Sequence, residues 1–225
     1  LGKRVVYAAT GQEADRSFAG GLLGYVEHYQ NGDYLRKLSR DTMRGIVSRV
    51  KKGCWPGGPI PFGYDRLILD ADSKPRRIVR DLPDKTQLVL DAETGEEIER
   101  LPAGRRFSKQ DHEYCSLTLS TPDRVEAVKR IFHDYAAGLP IRRIREWLRD
   151  QGFRSARSGV ISPSSLHAIL ENTSYTGDCI YNKRTESKWH RYQEGHSVER
   201  ADEGLEYRAE ADHVASEAPF KGNMD

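Results

Sequence analysis

Three prolines, Pro56, Pro59 and Pro61, lie within six residues just after Gly53. Proline lacks the amide proton that a helix needs and clashes with the preceding turn, so no helix crosses this stretch. Upstream, Leu22, Leu23, Val26 and Tyr29 repeat at helical spacing, and Leu35, Leu38, Thr42, Ile46 and Val50 continue the pattern after Asn31-Gly32. That spacing predicts a long amphipathic helix, interrupted or kinked near Gly32 and stopped by Gly53. The stretch from Trp55 to Tyr64 carries Trp, Phe and Tyr among its Pro and Gly residues. A purely flexible linker seldom holds such large rings, so 54–64 reads as an ordered, extended crossing into a second domain.

Beyond the crossing, short apolar runs such as Leu67-Ile-Leu69, Gln87-Leu-Val-Leu90 and Ser116-Leu-Thr-Leu119 are separated by turn residues. They predict a small antiparallel region of hairpins. Thr121-Pro122 opens a helix whose buried face is Val125, Val128, Ile131, Phe132 and Tyr135, closed by Gly138. A second helix runs over about 140–151, and Ser162-Pro163 opens a third that ends near Glu171-Asn172. Cys179-Ile-Tyr181 and Leu205 to Arg208 read as strands, Val5 to Ala9 as another, and 213–225 as a weakly patterned tail. The fold class is α+β: a long N-terminal helix, then a mainly helical domain with a helix-turn-helix-like core and a small antiparallel β region. The boundaries are 1–53, 54–64, 65–212 with a β insertion at 70–115, and 213–225.

The chain of 225 residues is 37% hydrophobic, with a mean hydropathy of −0.73 and a net charge of +2. No apolar run is long enough to span a membrane, and the first residues form no signal peptide. Starting at Leu1, the chain reads as a fragment of a longer, cytoplasmic protein. Cys54, Cys115 and Cys179 are too widely spaced for a zinc site or a disulfide framework, and read as buried reduced thiols.

The small net charge hides segregation. Residues 36–52 hold seven basic residues (Arg36, Lys37, Arg40, Arg44, Arg49, Lys51 and Lys52) against Asp41, while 142–157 hold six arginines against Glu146 and Asp150. Solvated helix faces normally mix signs, so such blocks point to a polyanionic partner. An arginine-bearing helix followed by a short helix is the layout of domains that insert a helix into a DNA groove. On this reading the candidate contacts to double-stranded DNA are Arg36, Arg40, Arg44, Arg49, Lys51, Lys52 and Trp55 from the first half. Arg142, Arg143, Arg157, Ser162, Ser164, Ser165, His167, Asn172 and Tyr175 come from the helix pair, and Lys183, Arg184 and Lys188 from the basic loop after it. The pairs Asp91/Glu93 and Glu96/Glu97 sit on a predicted turn and read as solvated, and no Ser, His and Asp arrangement suggests an activated nucleophile. His190 and His196 lack partner ligands at usable spacing for a metal.

Several stretches resemble, in order, the large serine recombinases or serine integrases of the resolvase/invertase superfamily. These are Gly21-Leu-Leu-Gly and Tyr34-Leu-Arg-Lys-Leu-Ser-Arg-Asp-Thr-Met-Arg-Gly45, then Gly58-Pro-Ile-Pro-Phe-Gly-Tyr64, then Val125 to Gly138, Ile141 to Gly152 and Leu166 to Gly177. The resemblance covers about residues 1–68 and 121–190. It implies that 1–53 ends a catalytic domain, that 65–212 is a recombinase DNA-binding domain, and that the parent recombines mobile DNA. A serine near the parent's N-terminus would attack DNA and hold it as a 5′-phosphoserine ester, so that bond energy is conserved without metal or ATP. Arginines would stabilise the transition state; Arg36 and Arg40 are the nearest candidates here, and Asp41 stands where some relatives carry arginine. The resemblance also implies a homodimer on each attachment half-site pair, a tetramer in synapsis, and a zinc ribbon following residue 225. Lacking the serine, this chain is expected to be inactive alone. Residues 70–115 depart from shorter family members. Two other readings stay open from the residues alone: a non-catalytic helix-turn-helix regulator, or a protein-interaction module built on the β region.

Overall fold

The computed structural model describes residues 6, 17–154, 159–200 and 204–217. In chain order its elements are α1 (Phe18–Lys51), β1 (Tyr64–Leu69), β2 (Pro75–Asp81), β3 (Gln87–Asp91), β4 (Glu97–Leu101), β5 (Tyr114–Leu119), α2 (Pro122–Ala136), α3 (Ile141–Asp150) and α4 (Pro163–Leu170). Short strands follow: β6 (Ile180–Tyr181), β7 (Arg184–Thr185), β8 (His190–Gln193), β9 (His196–Glu199), β10 (Glu206–Tyr207) and β11 (Val214–Ala215). The chain divides into two compact units, Leu1–Gly45 with Arg184–Tyr207, and Ile46–Lys183 with Arg208–Asp225. The predicted strand at Val5 to Ala9 lies outside the described residues except for Val6.

α1 is one helix of 34 residues, not an interrupted one. Gly21, Gly24, Gly32 and Gly45 all lie within it, although glycine costs a helix interior about 1 kcal/mol each relative to alanine. It also begins at Phe18, one turn before the periodic pattern that starts at Leu22. Gly53, with φ +76, ends it as expected, and Arg49 and Lys51 sit favourably at the negative end of its dipole.

In the second unit, β1 to β5 form one antiparallel sheet in the order β4-β3-β2-β1-β5. Val79 pairs with Arg66 on one side and Val89 on the other, so one face collects Ile68, Val79, Val89 and Leu101, with Phe107 packed against them. On the opposite face, buried Asp65 accepts from Arg80 Nε at 2.7 Å and from the Ser120 hydroxyl at 3.0 Å. Edge strand β4 is charged and exposed through Glu97, Glu99 and Arg100, which discourages pairing with another sheet.

The expected α+β class with a long N-terminal helix is what the chain adopts, but the mainly helical character expected of the second domain is not established: the sheet has its own core and is comparable in size to the three helices. The helix-turn-helix detail is not established either. Residues 151–162 separate α3 from α4, against the three or four of that motif. The expected weak tail is ordered at its start: β11 pairs with β6, and Val214 is buried.

In the first unit, β8 and β9 form a hairpin and β7 pairs with β10. A buried arginine ties its loops together: Arg200 Nη1 donates to Ser187 O at 2.6 Å and Nη2 to Gly204 O at 2.9 Å. Arg36 of α1 lies 3.6 Å from Glu199 and 3.5 Å from Asp33, with its guanidinium over the Trp189 ring at 5.3 Å.

Candidate nucleic-acid interface

α2, α3 and α4 are built around Ile131, Ile144, Leu148, Leu166 and Ile169, all buried. Arg130 of α2 stacks over Trp147 of α3 at 4.2 Å, adding a cation–π contact. The crossing segment fastens onto this bundle with rings: Phe62 meets Phe153 edge-on at 5.9 Å, and Tyr175 lies 5.6 Å from Tyr64 and 5.5 Å from Phe132. Two reciprocal bonds lock the clasp. The Tyr64 hydroxyl donates to Ser174 O at 3.0 Å, and that of Tyr175 to Phe62 O at 2.8 Å. Burial pushes the Tyr64 phenol up to about 12 and that of Tyr175 higher still, so both stay protonated donors.

The clasp sets the orientation of α4. Ser162 caps the helix, its Oγ accepting from Ser165 N at 3.1 Å and meeting Ser165 Oγ at 2.9 Å, with Pro163 in the first turn. Leu166 and Ile169 point into the core. Ser164, His167, Ala168 and Glu171 are exposed, and their spacing puts them in one stripe on the opposite side. α3, which packs on α4, presents Arg142 and Arg143, with side chains 81% and 73% exposed. They share a single acid, Glu146, at 3.1 and 3.6 Å, and the two arginines hold its carboxyl below the usual range, the Arg142 hydrogen bond most of all. Lys183 is exposed after β6.

The structure gives several predicted contact residues other tasks. Tyr175 belongs to the core clasp. Asn172 Oδ1 accepts from Ser174 N at 3.0 Å and caps the 3-10 turn Thr173–Thr176. Ser162 and Ser165 are occupied with each other. The reason is chemical: the small hydroxyls and amides that read bases are also the preferred helix caps. Trp55 is half-buried, its backbone amide donating to Cys115 O at 2.7 Å and its indole N–H unpartnered. At the end of α1, Lys51 lies 3.8 Å from Glu217, Lys52 is exposed and Arg49 half-buried. In the first unit, Arg40 and Arg44 each lie 3.9 Å from Asp41, Arg184 is exposed, and Lys188 is exposed over Trp189 at 5.0 Å. Arg157 lies outside the described residues. Sequence reasoning missed Ala168 and Glu171; the spacing from Ser164 and His167 was the signal that finds them.

Among the described residues, no group of three His, Cys, Asp or Glu is placed to hold a metal. The three cysteines are free, with burial pushing the Cys115 and Cys179 thiols up to about 11. Asp91, on the predicted turn, accepts from the amides of Glu93 and Thr94 at 2.8 and 2.9 Å. No helix among the described residues is long and apolar enough to cross a membrane.

The model of the Recombinase family matches residues 122–218. This part of the chain is similar to the Recombinase family. The match starts at the first residue of α2 and leaves the β1–β5 sheet outside, so the matched region contains the clasp residue Tyr175, the α3 arginines and the exposed face of α4. The domain, which follows the catalytic resolvase domain in serine recombinases, ties the chain to site-specific DNA recombination. No curated protein and no solved structure matches the chain.

Proposed function

We propose that this chain binds double-stranded DNA sequence-specifically as part of a serine recombinase that exchanges strands through a phosphoserine intermediate. The observation that carries the reading is the Recombinase domain's own surface: an exposed stripe on α4 beside two arginines that share one acid. Arg142 and Arg143 neutralise phosphates and set the register, while Ser164 and His167 meet base edges in the major groove. Lys52 and Lys183 extend the basic surface. The catalytic serine belongs to the resolvase domain that precedes this domain in the family, and residues 122–218 supply site recognition.

The same reading assigns α1 to assembly. Phe18, Leu22, Val26 and Tyr29 recur at helical spacing along one face of α1, and all four are exposed. Such a stripe on one helix fits a second copy of the helix, giving a homodimer on DNA and a tetramer in synapsis.

Fluorescence anisotropy of the chain with the ends of its parent element and with scrambled duplex, across a salt series, tests the DNA reading. Tighter binding to the end sequence is expected, with a log–log salt slope of about 0.9 per neutralised phosphate. Changing Arg142 and Arg143 together to Gln should flatten that slope by about one to two. Absence of binding to either duplex at low salt overturns the proposal.

A further inference from the structure

The stripe on α4 ends in a carboxylate that has no structural task. Glu171 is the C-cap residue of α4, with φ −91 and ψ −3, so its side chain continues the row of Ser164, His167 and Ala168. It is exposed at the rim of a cavity that Lys129 and Phe132 of α2 also line, and no hydrogen bond or ion pair to its carboxylate is present among the described residues. Its position is unfavourable twice over. The C-terminal end of a helix carries partial negative charge, which repels an acid. A DNA-facing surface also brings it toward phosphates. Neither stability nor general affinity explains a carboxylate here.

Base chemistry does. In the major groove guanine shows two acceptors, thymine an acceptor and a methyl, and adenine an acceptor beside its amino donor. Cytosine alone offers a donor, its N4 amino group, with no acceptor on the same base. A carboxylate is an acceptor only, so guanine and thymine repel it, adenine meets it with an acceptor beside its donor, and cytosine alone satisfies it without conflict. We propose that Glu171 is a specificity-determining residue whose carboxylate accepts from the N4 amino group of a cytosine in the half-site. Ala168, one turn back on the same stripe, places its methyl against the neighbouring step and fits a thymine methyl there.

This inference rests on the DNA reading above, and its test separates the two. The chain and its Glu171→Gln variant are used to select half-sites from duplexes randomised across the bound region, and both proteins are melted. The native chain should prefer cytosine at one position by about 10- to 100-fold, the range expected of a good base contact. Glu171→Gln should lose that preference in favour of adenine, whose donor and acceptor match a carboxamide, with the other positions unchanged and the melting temperature not lowered. Unchanged preference at every position overturns the inference alone, as does a uniform tightening on all sequences, which would mark Glu171 as a mere repeller of phosphate. If the native chain selects no sequence at all, the inference falls together with the DNA reading.

Discussion

The β1–β5 sheet and the α2–α4 bundle are neighbours in sequence and both rich in arginine, yet the sheet pairs its guanidinium groups more completely than the bundle does. In the sheet, Arg66, Arg76, Arg77, Arg80, Arg100 and Arg106 each lie within 3.2 Å of a carboxylate. Asp81 alone serves Arg66, Arg106 and the side chain of Gln87. In the bundle, Arg130 lies 3.3 Å from Asp134 and Arg149 3.0 Å from Asp150, but Arg142 and Arg143 share one acid, and Arg145 and Arg154 have none among the described residues. Arginine count alone therefore says little about partners. A paired guanidinium is structural and has little charge left to offer; an unpaired one projects a field.

The largest effect that separates the regions comes from the bundle core. Leu166, almost wholly buried, holds α4 in place. Leu166→Ala should cost about 3 kcal/mol in denaturant melts, the usual range for such a truncation. It should abolish base preference while leaving the sheet's hydrogen-exchange protection the later to be lost. A smaller, sharper comparison uses Asp65→Asn. The change leaves Arg80 unpaired, but burial already pushes the Asp65 carboxyl up towards its neutral form despite the Arg80 bond. The expected loss is about 2 kcal/mol, below the usual cost of breaking a buried pair. DNA affinity should not move. Should it fall as far as with the Arg142 and Arg143 changes, the division of labour between sheet and bundle fails.

The smallest effect is on the sheet's turns. Asp70, Asp84 and Asp91 accept bonds from backbone amides or a threonine hydroxyl in the hairpin connections, led by Lys74 N, the Thr86 hydroxyl and Thr94 N respectively, and all three carboxyls are held below their ordinary range. Their folded values lie under the unfolded ones, so their contribution is complete above the ordinary carboxylate value of about 4 and fades as pH falls through the folded values. Amide exchange at Lys74, Thr86 and Thr94 should accelerate as pH drops from about 5 to 2.5, after correction for intrinsic exchange, with α4 amides unaffected.

Much of this architecture was legible from the chain. Alternating runs located all five strands of the sheet, and Thr121-Pro122 and Ser162-Pro163 marked the starts of α2 and α4, because caps and prolines act locally. What escaped was non-local. β6 and β10 read as strands in the sequence, but their partners β11 and β7 are two residues long and lie about twenty or more positions away, too brief and too distant to leave a signal. The contact between Arg36 and Glu199 spans most of the chain, so Arg36 read as a free cation when it is held by two acids and a tryptophan ring. In the candidate interface, Ser164 and His167 are exposed as expected. Ser162, Asn172 and Tyr175 are turned to capping and packing, since their side-chain types suit either use and only the fold decides.

The pairing of β1 with β5 has a consequence for ancestry. Leu69 faces Tyr114 directly across the ladder, so the whole excursion through β2, β3 and β4 leaves and returns at one rung. A two-residue turn joining those positions would close the path without moving the neighbouring strands. Genetic gain or loss of such a block needs only one junction. The junction is not free of debts, however: Arg66 and Asp65 point at Asp81 and Arg80 inside the excursion. Any shorter descendant has to rewrite those two residues when it sheds the block.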